Sequence, residues 1–247
     1  MIKTINFNIE QETKNCIGWI KNWFENESGK SNGIAIAISG GKDSTVVAKL
    51  CAEAVGAERV FGIPMPNNVQ SDIADSLRVC ELTGINYSVV NIGGIYDEFL
   101  KVSKDLGNTT EALINVPPRI RMTMIYLLSQ NMGYRVVGTG NLSERYIGYC
   151  TKWGDMSCDF TPVANFTSDE VIAIGDYLGL PYELVHKTPA DGLSGKSDED
   201  RIGFSYQILN EYIRTGVCED SGIKAKIDKM HEYAMHKINP IPAYEMK

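Results

Sequence analysis

The chain has 247 residues, of which 43% are hydrophobic and 22% charged, with a formal net charge of −7. That length suits one large domain, expected over 1–247, with a core of its own. The acidic balance argues against broad binding to nucleic acid or anionic membranes. Met1 to Glu10 lacks a signal-like apolar segment, and no run approaches the ~20 apolar residues of a membrane span, so a cytoplasmic location is expected. Six cysteines (Cys16, Cys51, Cys80, Cys150, Cys158, Cys218) include no CxxC pair and read as reduced thiols.

In chain order, the apolar spacing over 8–26 predicts an amphipathic helix. Ile34-Ala35-Ile36-Ala37-Ile38 is an unbroken apolar run, as in a strand buried on both faces of a parallel sheet. A Ser39-Gly40-Gly41-Lys42-Asp43-Ser44 turn follows, then a helix over 45–55. Strand and helix go on alternating: strand 59–63, helix 71–83, strand 86–91, helix 96–106, helix 117–132 with proline at its start, and strand 134–138. Such alternation predicts an α/β fold, a doubly wound parallel sheet flanked by helices. Residues 138–162 carry few regular signals and read as a long functional loop. Helices are expected near 168–178, 201–212 and 223–236. Pro240 and Pro242 stop the last of these.

The turn after the first strand carries the chemistry. Glycines let the backbone approach an anion closely, and free N–H groups at a helix start point toward it. Ser39 and Ser44 can donate hydroxyl hydrogen bonds. Asp43 suits a Mg2+ ion bridging phosphate oxygens better than it suits a phosphate. The spacing is neither the Walker pattern nor the dinucleotide GxGxxG. A plain strand-to-helix turn with Asp43 as a helix cap is the bland alternative.

This six-residue pattern resembles the loop of the ATP-pyrophosphatase superfamily, which splits ATP between its α and β phosphates and forms an adenylate. Further stretches narrow the resemblance: Gln70-Ser71-Asp72, Pro118-Arg119-Ile120-Arg121-Met122, Gly138-Thr139-Gly140-Asn141-Leu142-Ser143-Glu144, Gly148 through Asp155, and His236-Lys237. Together they resemble the ammonia-dependent NAD synthetase family, from about residue 10 to the end. The fold implied is that of adenine nucleotide alpha hydrolases, which is Rossmann-like.

That resemblance implies that ATP adenylates the nicotinate carboxylate of deamido-NAD and that ammonia displaces AMP. ATP contacts are implied at Ala37, Ile38, Ser39, Gly40, Gly41, Lys42, Asp43, Ser44, Gln70, Thr139, Ser168 and Thr188. Asp43 and Glu144 are implied as Mg2+ ligands. Arg119, Lys152, Asp159, His236 and Lys237 are implied at deamido-NAD, Asp155 at the ammonia site, and Asp155 and Asp43 in catalysis. A homodimer is implied, with the helices at 8–26 and 117–132 as contact elements, although packing into their own core explains those faces equally well. Each site residue has a bland reading: a solvated charge for Arg119 or Lys152, a helix-start carboxylate for Glu144, a helix-end cap for His236.

Two positions depart from the family. Ser168 stands where many members have a phosphate-binding lysine, and Ala190 where a Thr or Ser is common. Lys42 or Lys196 could make up the lost charge. Too few residues precede Ser39 for a glutaminase domain, so free ammonia is the expected nitrogen source. Another ligase of the superfamily, such as an RNA-thiolating enzyme, and a non-catalytic nucleotide sensor are the alternatives.

Overall fold

In a computed structural model, residues 7–70, 72–187 and 198–246 are described. Four parallel strands, β1 (Gly33–Ile38), β2 (Val60–Pro64), β3 (Asn86–Tyr87) and β4 (Tyr134–Val137), lie in the order β3-β2-β1-β4. The register pairs Ile34 with Val60 on one side and with Arg135 on the other. The helices are α1 (Ile9–Asn26), α2 (Lys42–Val55), α3 (Ile73–Thr83), α4 (Gly93–Ser103), α5 (Thr110–Ile114) and α6 (Val116–Met132). They continue with α7 (Leu142–Ile147), α8 (Ser168–Tyr177), α9 (Tyr182–Val185), α10 (Asp198–Ile202), α11 (Tyr206–Thr215) and α12 (Ser221–Ile238). None of these is long and apolar enough to cross a membrane.

Side chains alternate across β1, and the two faces differ in size. Ile34, Ile36 and Ile38 join the core under α1, α2 and α8, with Ile20, Val47, Leu50 and Ile174. Ala35 and Ala37 face the opposite layer, where their small side chains leave room for α6 and its Ile125 and Met124. A third core, of Leu142, Ile147, Leu209, Ile213 and Ile227, joins α7, α11 and α12 beside the sheet. The strand order places the site. From β1 the chain leaves toward β2 on one side, whereas β4 pairs on the other side. The turns after β1 and β4 therefore diverge, which leaves a crevice at the carboxyl ends of these strands.

Several expectations are corrected. The strand expected over 86–91 is reduced to Asn86–Tyr87, because it lies at the sheet edge, although Ser88 and Val90 still donate their N–H groups to Gly62 and Pro64. The helix expected at 201–212 is two: Gly203, at φ 77, breaks it, and Ser205 caps the start of α11 through Ile208 N–H. Helix α2 starts at Lys42, three residues earlier than expected, and α4 runs over Gly93–Ser103. The region read as irregular holds α7, nucleated by a reciprocal cap in which Asn141 Oδ1 accepts from Glu144 N–H and Asn141 N–H donates to Glu144 Oε2. Both α1 and α6 pack into this chain's own core.

A buried polar knot ties α7, α8 and α11 together. Ser168 N–H donates to Ser143 Oγ at 3.0 Å, Ser143 Oγ to Asn210 Oδ1 at 2.5 Å, and Asn210 Nδ2 to Ser168 Oγ at 3.0 Å. All three residues are buried. Replacing Asn210 by alanine strands both hydroxyls, and should cost about 1–3 kcal/mol of unfolding free energy in urea titration; an unchanged midpoint would mean that water replaces the amide at no cost.

Candidate active site

The turn from β1 into α2 is braced from within. Ser39 Oγ and Ser44 Oγ lie 3.1 Å apart, Ser39 N–H donates to Ser44 Oγ, and Gly41 N–H donates to Ser39 Oγ. Ser44 and Thr45 hydroxyls both donate to Gly41 O. Gly41 caps α2 without a side chain, so the first-turn N–H groups of Lys42, Asp43 and Ser44 keep no side-chain acceptor. They form the positive end of the helix dipole and can receive an anion. Gly40 has φ 78, and a Cβ there would come within 2.8 Å of Ser76 N and 2.9 Å of Asp75 Cβ. The start of α3 thus lies against the loop, and only glycine fits between them. Ala37 and Ile38 lead the strand into this turn. Gln70 sits beside it, donating to Asp72 Oδ1, while Lys187 holds Asp72 and Asp75 at 3.0 and 2.6 Å.

Across the crevice, the turn after β4 carries Thr139 and brings Asn141 to the loop. Asn141 is fully buried and touches both carboxylates. Its amide Nδ2 donates to Asp43 Oδ1 at 2.9 Å, and its backbone N–H to Glu144 Oε2 at 3.4 Å. Burial raises the pKa of Glu144, and the charge of Asp43 adds to that rise. Lys42 Nζ lies 2.9 Å from Asp43 Oδ2. Its own burial works to lower its pKa, but Asp43, Glu144 and Asp198 outweigh that, so it stays charged. Two carboxylates converging from separate helices, one of them short of positive charge, form an all-oxygen donor pair that a hard divalent cation would relieve. Among the described residues no group of three or more His, Cys, Asp or Glu could hold a metal unaided. The remaining ligands of such an ion would be phosphate oxygens and water.

The segment after α7 folds back as a second wall. Asp155 accepts Thr151 N–H at 2.6 Å, and Thr151 Oγ1 donates to Asn115 Oδ1. Although Asp155 keeps a solvent-accessible surface, the protein packed around its carboxyl raises its pKa, against the pull of Thr151 N–H and of the Lys237 charge. Arg119 donates to Lys152 O, Lys152 Nζ to His236 O, and Lys237 Nζ to Gly148 O and Cys150 O. The structure therefore gathers Arg119, Lys152, Asp155, His236 and Lys237 around one turn and the end of α12. Asp159 lies at the edge of β4, where Oδ2 accepts Val136 N–H at 2.7 Å. Trp153 is half exposed on this wall, at φ 59, a left-handed backbone uncommon for a bulky residue.

Ser168 is buried; its Oγ accepts from Asn210 Nδ2 and its N–H donates to Ser143 Oγ. Lys42, by contrast, holds a charged ammonium at the carboxylates. Thr188, Ala190 and Lys196 lie outside the described residues. From sequence, Asn141 is one member of the Gly138–Glu144 motif with no role of its own, and Trp153 is open between core filling and flanking a flat ring. The Asn-Leu-Ser-Glu spacing carried the signal for Asn141 as a helix cap, but not for its bond to Asp43.

A buried strand leading into an amide-lined anion seat, faced by paired carboxylates, defines a nucleotide-activating α/β enzyme of the ATP-pyrophosphatase kind. A family model described as NAD synthase matches residues 13–245, and the chain belongs to that family. It is 41% identical over 189 residues to the NH(3)-dependent NAD(+) synthetase of Thermococcus sibiricus, covering 76% of this chain and 74% of the relative. Its fold matches the NMN synthetase of Francisella tularensis with a TM-score of 0.90 at 28% identity, over 98% of this chain and 100% of the other. The NH3-dependent NAD synthetase of Campylobacter jejuni matches with a TM-score of 0.80 at 27% identity, over 97% and 100%.

Replacing Asn141 by alanine removes a helix cap and the bond that orients Asp43. Loss of the cap should cost about 0.5–2 kcal/mol of stability. Asn141→Asp keeps a capping oxygen but offers Asp43 no amide donor. Turnover should fall in both variants while the thermal midpoint falls clearly only in the alanine variant; equal activity of Asn141→Asp and the parent would show that Asp43 needs no such anchor.

Proposed function

We infer that this chain carries out the amide-forming reaction of its family, ammonia-dependent synthesis of NAD from deamido-NAD and ATP, and that the residues gathered above perform it. The observation that carries the reading is the meeting of Asp43 and Glu144 at the mouth of an amide-lined loop. In the first step an oxygen of the nicotinate carboxylate attacks the α phosphorus of ATP. The α–β bond breaks, and pyrophosphate leaves with the bonding pair into the N–H groups of residues 40–44. Mg2+ held by Asp43 and Glu144 would supply charge neutralisation for the polyphosphate. Lys42 adds a fixed positive charge on the same side.

In the second step ammonia attacks the acyl carbon, and AMP departs with the electrons of the acyl–oxygen bond. The nitrogen must lose a proton. Asp155 stands beside the substrate wall with its pKa raised from the ordinary aspartate value by the protein packed around it, which makes it a better proton acceptor than an unperturbed aspartate. Arg119, Lys152, His236 and Lys237 surround the pyridine nucleotide, and Thr139 and Gln70 flank ATP. Two copies of the chain would pair, as the family resemblance implies; Ile95, Phe99 and Val102 are exposed apolar side chains on α4 available to such a contact.

The likeness to the Francisella NMN synthetase, complete in coverage on both sides, favours a second acceptor of the same chemistry: nicotinate mononucleotide, amidated by the same two steps. Incubation with ATP, Mg2+, ammonium and either acceptor should give the amide, AMP and pyrophosphate in equal amounts, and the ratio of kcat/KM values ranks the acceptors. ADP as product would contradict the bond cleavage. Asp155→Asn should lower kcat roughly 100- to 10,000-fold, the range of a general base, with KM for ATP unchanged; a loss below tenfold would remove Asp155 from the proton transfer.

A further inference from the structure

The cleft between the turn after α7 and the end of α12 holds a cation that the reaction described above does not use. Its walls are Arg145, Lys152, Trp153, Met156, Lys237 and the tail 238–241, and it encloses about 320 Å3. No carboxylate lines it, in a chain whose net charge is −7. Two of its three cations are tethered: Lys152 Nζ donates to His236 O at 2.5 Å, and Lys237 Nζ to Gly148 O and Cys150 O at 2.7 and 2.8 Å. Those carbonyls fix the ammonium groups without cancelling their charge. Arg145 is different. Among the described residues its guanidinium has neither a hydrogen-bond partner nor an ion pair, and the side chain is only half-buried.

Helix geometry separates its task from that of its neighbour. Successive residues on a helix point about 100° apart, so Arg145 and Glu144 leave α7 in different directions. Glu144 turns to Asp43 and the loop. Arg145 lines the cleft. A planar guanidinium left without a partner in a cleft of uniform charge is suited to a bidentate oxyanion. The geometry points to Arg145 as the phosphate clamp of the pyridine-nucleotide substrate, a specificity residue that grips the phosphate nearest the nicotinate ring.

This assignment rests on the substrate reading given above. The nicotinate carboxylate must face Asp155 for the second step. Asp155 is two residues from Trp153, which lines the cleft and offers it an exposed flat ring. A ring and carboxylate placed there leave the attached ribose phosphate within the same cleft, against Arg145, Lys152 and Lys237. The loop proposed to take the ATP polyphosphate carries its own cation, Lys42, which pairs with Asp43 and does not line this cleft. The same clamp serves a dinucleotide pyrophosphate or a mononucleotide monoester, since both present phosphate oxygens.

The test compares the full chain with Arg145→Met and Arg145→Lys. Steady-state kinetics are measured with ATP and each acceptor varied in turn, and calorimetry measures binding of deamido-NAD and of nicotinate mononucleotide without ATP. Arg145→Met should weaken acceptor binding and raise acceptor KM by roughly 10- to 100-fold, the loss of one charge-assisted bidentate contact. Its kcat should stay within about threefold and its KM for ATP should not move, while Arg145→Lys recovers part of the affinity. A larger effect on one acceptor assigns the clamp to that nucleotide's phosphate. An unchanged acceptor KM and affinity would overturn the proposal, as would a rise in ATP KM in its place. If the parent chain makes no amide at all, the proposed function fails, and the calorimetric comparison still decides the role of Arg145.

Discussion

Two carboxylates do not settle side by side in a half-buried crevice without something that holds them there, because each raises the cost of ionising the other. Here Asn141 does so, with its side-chain amide on Asp43 and its backbone N–H on Glu144. The same side chain starts α7 through Glu144 N–H. One buried residue therefore sets the orientation of a helix and of the acid that precedes it across the crevice. Lys42 balances the pair from the loop side. The remainder of the site depends on this arrangement, since the loop offers amides to phosphate but only one carboxylate, Asp43, to a cation.

The scaffold explains why these groups meet. Parallel strand order separates the turns after β1 and β4, and the alternation of isoleucine and alanine along β1 seats α2 and α6 on opposite faces. Behind α7 the knot of Ser143, Ser168 and Asn210 fixes its starting turn to α8 and α11. Ser168, a position where the family resemblance implies a phosphate contact, is a member of this buried knot. The charge missing there has a counterpart in Lys42, which comes from the loop itself.

What could be read in the sequence was local. Five apolar residues followed by Ser-Gly-Gly-Lys-Asp-Ser announce a strand, a turn and a helix, because periodicity and backbone chemistry act over a few residues. The roles proposed for Asp43 and Glu144 needed the resemblance, since a carboxylate at a helix start looks the same whether it caps or ligates. Contacts across long separations were not legible: Asn141 and Asp43 are 98 residues apart, and Asn210 and Ser143 are 67 apart. The short β3 was overread because its apolar residues line an edge with few partners. The single helix expected near residue 205 missed the break at Gly203, where a left-handed backbone stops one helix and Ser205 starts the next.

The central claim is that Asp43 and Glu144 work as one cation site, and a double-mutant cycle reads it directly. Half-saturating Mg2+ would be measured during turnover for the parent, Asp43→Asn, Glu144→Gln and the double variant. Shared ligation predicts that either single change raises it strongly and that the second adds little, a clear departure from additivity. Independent effects that simply sum in free energy would contradict the account.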